Sequence, residues 1–225
     1  MRGALDAAAE VGPFFRLEVG KPGWQPAAAF YRDALAELAV GTAGRLGITE
    51  PHVAASTVHL DLAARLWSPV LGAGLLRGVV PDLRVLTVSV DPVRLALARP
   101  AGWLLTSAAE LAPVSASVAV PELATLAAGL RPRLAGGLVR GNSASAMVAA
   151  LKVLAMAHPE LTAAASRLAR ALLQVPGLRG AGTLADADDV GLQFPGFRRR
   201  SCCLYYRVPG GGLCGDCCLA RVPAG

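Results

Sequence analysis

Cysteine is absent from the first 201 residues of this 225-residue chain, charged side chains make up only 17% of it and aromatics only 5%. So little charge, with 54% hydrophobic residues and a positive mean hydropathy, excludes an intrinsically disordered chain, because that composition buries a sizeable core. An apolar run of roughly 18 residues uninterrupted by charge or proline is also missing, which speaks against a membrane span. The nearest approach, Asn142 to Ala157, contains Lys152. Nor is there a basic flank, apolar run and small-residue cleavage site at the amino end, where Arg2 is followed by Asp6 and Glu10. These absences set the expectation of a cytoplasmic protein. No Walker-type phosphate loop occurs, and Gly72, Gly74 and Gly78 have the wrong last spacing for a dinucleotide fingerprint. The few aromatics do not interleave with a basic stripe, which argues against a nucleic-acid surface.

What is present reads as one core with an appendage: a body over residues 1–191 and a carboxyl-terminal segment over 192–225. Glycine and proline break residues 1–25 into an irregular opening stretch. Apolar spacing predicts a helix over 26–47, with Phe30, Leu35 and Leu38 on its inner face. A second is expected from Pro51, broken at Trp67 and Pro69. Short apolar stretches at 83–90, 102–107 and 114–120 suggest a small central antiparallel sheet. Three helices should follow, starting near Pro121, at a cap formed by Asn142 or Ser143, and at Pro159. The fold class expected is α+β, mainly α.

Charge and cysteine both gather at the far end. From Arg198 onward five arginines (Arg198, Arg199, Arg200, Arg207, Arg221) face one acid, Asp216, so most of the net +6 resides there. All five cysteines lie there too: Cys202, Cys203, Cys214, Cys217 and Cys218. An odd number without an export signal weighs against a disulfide framework. The two-residue gap between Cys214 and Cys217 suits a metal knuckle. Adjacent Cys202 and Cys203 would strain the backbone if both met one tetrahedral zinc, whereas a two-iron cluster offers ligand positions farther apart. This geometry favours iron and sulfide and leaves a structural zinc site open. Tyr205 and Tyr206 could shield one side of a centre, and the glycines at 210–212 would let backbone N–H groups approach sulfur. With no nucleotide motif, electrons for such a centre would come from another protein. The three histidines, His52, His59 and His158, have no partner by spacing and read as surface or core residues.

The run Arg199-Arg200-Ser201-Cys202-Cys203-Leu204-Tyr205-Tyr206-Arg207 followed by Leu213-Cys214-Gly215-Asp216-Cys217 resembles the carboxyl-terminal motif of the FhuF-type ferric siderophore reductases. Ala64-Arg65-Leu66-Trp67-Ser68-Pro69 and Gly141-Asn142-Ser143-Ala144-Ser145 are similar to stretches in the body of that family, although Arg140 stands where the family often has tryptophan. The resemblance implies a [2Fe–2S] cluster held by Cys202, Cys203, Cys214 and Cys217, with Cys218 outside the pattern. It further implies one-electron reduction of Fe(III) in a siderophore, which frees the metal because hard oxygen ligands hold Fe(II) poorly. Arg198, Arg199, Arg200 and Arg207 are then candidates for attracting an anionic chelate. The partners implied are a ferric siderophore and an external donor such as a ferredoxin or flavin reductase, with peripheral contact to the inner membrane or an importer. The competing class is an iron–sulfur electron carrier without a substrate of its own.

Overall fold

The computed structural model describes residues 1–185 and 194–223. The boundary expected after residue 191 lies outside the described residues. Among the described residues the fold is mainly helical, 56% helix in seven α-helices, with small sheets.

The organising element is α4, Pro51–Arg77. Its sequence is apolar or small on nearly every side, the pattern of a helix surrounded by protein, and it packs against helices on several sides. Pro51 opens it, where the missing N–H costs nothing, and Gly78 closes it in a left-handed conformation at φ 63°. The break expected at Trp67 and Pro69 does not occur. Both are fully buried, and tertiary packing outweighs the loss of one helical hydrogen bond, a cost of about 3 kcal/mol. Against α4 lie α1 (Arg2–Ala9), α3 (Leu35–Leu46), α5 (Leu111–Gly129) and above all α6 (Gly136–Ala157), while α7 (Thr162–Leu172) covers α6 and α5. α2 (Ala27–Asp33) joins the core through Phe30 and Tyr31.

Several local expectations change. The opening stretch contains α1, whose Leu5 and Ala8 bury against the core, so residues 1–25 are not irregular throughout. The helix expected over 26–47 is divided at Ala34 into α2 and α3. The stretch 114–120 is helix and not strand, because α5 continues through Pro113 and Pro121. Residues 108–129 are thereby long and apolar enough to cross a membrane by length and composition. In this fold, however, Leu111, Val118, Leu123 and Leu126 point into the core, and small or polar residues such as Ser117, Ala124 and Thr125 face outward. α6 begins at Gly136, six residues before the expected cap at Asn142. Only the last of the three expected helices starts as read, with a single 3₁₀ turn at Pro159–Leu161 leading into α7.

The central sheet has the order β1-β5-β4-β2, where β1 is Glu18–Val19, β2 Gln25–Pro26, β4 Leu86–Val90 and β5 Val93–Leu97. Its main hairpin is antiparallel, as expected, with Val88 opposite Leu95, and β1 adds a parallel edge. β3 (Val79–Pro81) pairs with β6 (Gly102–Leu104), and β7 (Gly182–Leu184) with β8 (Phe197–Arg199), as two separate ribbons. Most buried apolar residues form one core, and a satellite of Ile48, Val53, Ala54 and Val208, with Leu204 against it, seats the carboxyl-terminal segment on the start of α4.

Replacing fully buried Leu66 of α4 or Leu151 of α6 by alanine should each lower stability by about 2–5 kcal/mol in denaturant unfolding, while Leu104→Ala, at a side chain 77% exposed, should change it by less than about 0.5 kcal/mol.

Candidate metal centre

The site begins with a strand that the sequence did not announce. In β8 alternate side chains take opposite sides, so Phe197 and Arg199 turn inward and Arg198 turns to solvent. Arg199 is only 2% exposed. Its Nη2 donates to Asn142 Oδ1 at 2.5 Å. Asn142 Nδ2 donates to the Ser56 carbonyl and to Ser56 Oγ, both at 3.1 Å, and Ser56 Oγ donates to the Cys203 carbonyl at 2.7 Å. A continuous hydrogen-bond chain thus joins β8, α6, α4 and the first cysteine pair. Asn142 is a buried connector in the middle of α6 and not a helix cap. Ser201 Oγ adds a bond to the Gly137 carbonyl at 2.7 Å. Gly141 permits this approach: a Cβ there would run into Ser201 Oγ and stand 2.9 Å from Arg199 Nη2.

Directly after this anchor the chain turns sharply. Leu204 is the one non-glycine residue with a left-handed φ among the described residues, at 69°. An off-basin residue of this kind is strained and persists only where its surroundings hold it; here Leu204 packs on the satellite core. The turn lets the Leu204 N–H donate to Cys202 Sγ at 3.3 Å. In the second half, Cys217 N–H closes a turn onto the Cys214 carbonyl at 3.1 Å, and Leu219 N–H donates to Cys217 Sγ at 3.4 Å. Between the halves, a Cβ at Gly211 would meet the Tyr205 carbonyl at 2.6 Å, so the connecting loop folds too tightly for a side chain there.

These turns bring the halves together. Cys203 Sγ and Cys214 Sγ lie 3.4 Å apart, close to the edge of about 3.8 Å expected for two thiolates on one tetrahedral metal with 2.3 Å bonds. The Sγ–Sγ contact with Cys214, with the Tyr205 N–H and the positive charge of Arg199, pulls the Cys203 pKa down. The same contact, together with burial, pushes Cys214 up. Burial raises Cys202. All five thiols are free of disulfides. Among the described residues no three metal-ligating side chains converge on a single ion. The donor set combines one close pair with two further thiols, Cys202 and Cys217, each accepting from a backbone N–H, an all-thiol set of the kind that holds an iron–sulfur cluster. Cys218 stands differently, since it is its carbonyl that is engaged, by Arg198 Nη2 at 3.3 Å.

The four arginines expected to face a substrate have separate fates. Arg198 and Arg200 are exposed, and Arg200 lines a surface cleft with Arg170 and Arg179. Arg207 pairs with Glu50 and lies over the Tyr206 ring. Arg199 is internal, so its guanidinium does not reach solvent; the strand alternation of β8 is the reason. Tyr206 is half-buried and Tyr205 exposed. His59 is completely buried with both ring nitrogens unpartnered, and burial, helped by the charge of Arg199, lowers its pKa to about 4. Ser56 went unnoticed in the sequence, because a lone serine in an apolar helix carries no signal of its partner.

Residues 199–219 match the family model described as the FhuF 2Fe-2S C-terminal domain. Over these residues the segment is similar to an FhuF-type 2Fe-2S domain. The resemblance read from the cysteine spacing therefore holds for this stretch, and the cofactor it points to is a [2Fe–2S] cluster. No curated protein and no solved structure gives a significant match to the chain. Of the segment's five cysteines, Cys202, Cys203, Cys214 and Cys217 are the residues that could hold the cluster.

Serine at Cys202, Cys203, Cys214 or Cys217 should abolish or strongly alter the visible absorption of anaerobically purified protein, because a hydroxyl is a poor substitute for a thiolate, while Cys218→Ser should keep it. Equal loss in all five variants would show a different ligand set.

Proposed function

We propose that this protein is a cytoplasmic ferric siderophore reductase that passes one electron to Fe(III) held by a siderophore and so releases Fe(II). The observation that carries the reading is the FhuF-type domain at residues 199–219, in the segment where Cys203 and Cys214 meet. When bound, the [2Fe–2S] group would supply a one-electron carrier at low potential. Cys202, Cys203, Cys214 and Cys217 would hold it, with Leu204 and Leu219 N–H groups directed at two of the sulfurs. Cys203 is buried and the other three are partly open, which leaves one side of the segment near solvent for an incoming chelate.

The surface around this opening carries the charge that would gather substrate. Arg198 and Arg200 extend into solvent, whereas Glu50 offsets Arg207. An anionic ferric chelate would be drawn to the first two, and the interior Arg199 would not take part in that capture. The electron would come from a partner protein such as a ferredoxin or flavin reductase, and contact with an importer at the inner membrane belongs to the same reading. A second reading, an iron–sulfur electron carrier, is favoured by one observation: the match is confined to residues 199–219, and nothing comparable identifies a substrate site in the helical body.

Stopped-flow mixing of reduced protein with ferric chelates separates the two. Changing Arg198 and Arg200 together to glutamine should slow iron release from an anionic chelate several-fold. The wild-type rate should fall with salt as screening shortens to about 8 Å at physiological ionic strength, and a neutral chelate should respond much less. Reduction of neither chelate would favour the carrier.

A further inference from the structure

Arg199 presents a problem that the hydrogen-bond chain does not solve. Arginine stays protonated in proteins, so a full positive charge sits at 2% exposure. Asn142 offers it a neutral amide oxygen, which accepts a hydrogen bond without cancelling charge. Nε and Nη1 have no partner. Among the described residues no carboxylate lies within ion-pair distance of the guanidinium. Asp216 is in the same segment, but it is its backbone carbonyl that meets Arg199, at the N–H and 3.1 Å away. His59 feels the charge of Arg199 and is itself neutral at pH 7 with both ring nitrogens unpartnered. A buried charge left in this state is strongly unfavourable unless something opposite in sign completes it.

The complementary charge available is that of the cysteines. Arg199 is tied to both cysteine halves: the Arg199–Asn142–Ser56 chain ends on the Cys203 carbonyl, and the Arg199 N–H donates to the carbonyl of Asp216, which lies between Cys214 and Cys217. By formal count an oxidised two-iron, two-sulfide centre with four thiolates carries about −2, and one more negative charge when reduced. We propose that Arg199 is the buried counter-ion of the cluster, so that the guanidinium makes reduction easier while the cluster's charge keeps the carboxyl-terminal segment seated on α4 and α6. The two halves of this statement are one coupling, since whatever Arg199 contributes to the charged centre the centre returns to the burial of Arg199. The inference rests on the [2Fe–2S] assignment and not on the siderophore reading.

The test uses the full chain purified without oxygen, with reduction followed in the visible spectrum against mediators. Arg199→Gln removes the charge and Arg199→Lys keeps it. Asn142→Asp places a carboxylate against the guanidinium and supplies a rival counter-ion. Arg199→Gln and Asn142→Asp should each disfavour reduction at least tenfold relative to wild type, which for one electron is a midpoint lower by about 59 mV, and Arg199→Lys should stay within that margin. Hydrogen exchange gives a readout without mutation: stripping iron from wild type should speed exchange across residues 197–208 at least tenfold, and by less in Asn142→Asp. Equal shifts in the glutamine and lysine variants would reveal a role in packing alone and overturn the proposal. So would an unchanged potential in Asn142→Asp, or exchange in wild type that ignores the loss of iron. Where Arg199→Gln holds no cluster, the aspartate variant and the wild-type exchange decide. Wild type lacking iron and sulfide would instead remove the cluster assignment itself, leaving the charge of Arg199 to be matched by some other anion and the counter-ion proposal refuted.

Discussion

A guanidinium in the interior, tied to an asparagine and to no carboxylate, is the constraint on which the arrangement of the carboxyl-terminal segment depends. Arg199 can reach Asn142 only because β8 turns its odd-numbered side chains inward and because Gly141 has no side chain to block the way. Asn142 can answer only because it lies mid-helix in α6, facing Ser56 of α4. Ser56 in turn fixes the carbonyl of Cys203, and with it the direction in which the first cysteine pair leaves the body. Removing any member would leave buried polar groups unsatisfied, so the chain of bonds behaves as a unit.

The helical body has the composition such a chain requires. α4 and α6 are rich in alanine and glycine, which let helices come close and let a strand lie against α6 at Gly141. Two long helices buried on most sides give the cysteine segment a rigid seat, and the satellite core of Ile48, Val53, Ala54 and Val208 holds its other end. Rigid support matters for electron transfer chemistry because hydrogen bonds to sulfur and burial set a cluster's potential, and both follow from how firmly the backbone is held. The left-handed Leu204 belongs to the same logic: a strained residue directly after two adjacent cysteines is what aims an N–H back at Cys202.

The cysteine spacing was legible without any coordinates because metal chemistry needs particular donor atoms at short separations, and Cys202, Cys203, Cys214 and Cys217 are local in sequence. The mainly helical class was legible too, from apolar periodicity. Prolines misled: Pro69 read as a break and Pro121 as a helix start, yet both sit inside helices whose packing outweighs a local penalty. Small residues hid the rest, since an alanine-rich stretch such as 111–129 carries little periodicity to separate strand from helix. The sequence by itself determined the ligand chemistry and the concentration of positive charge at one end. Only the tertiary structure decided which arginine enters the interior, because that depends on strand alternation and on contacts with Asn142 and Ser56, 57 and 143 residues away in the chain, whose meeting no local pattern encodes.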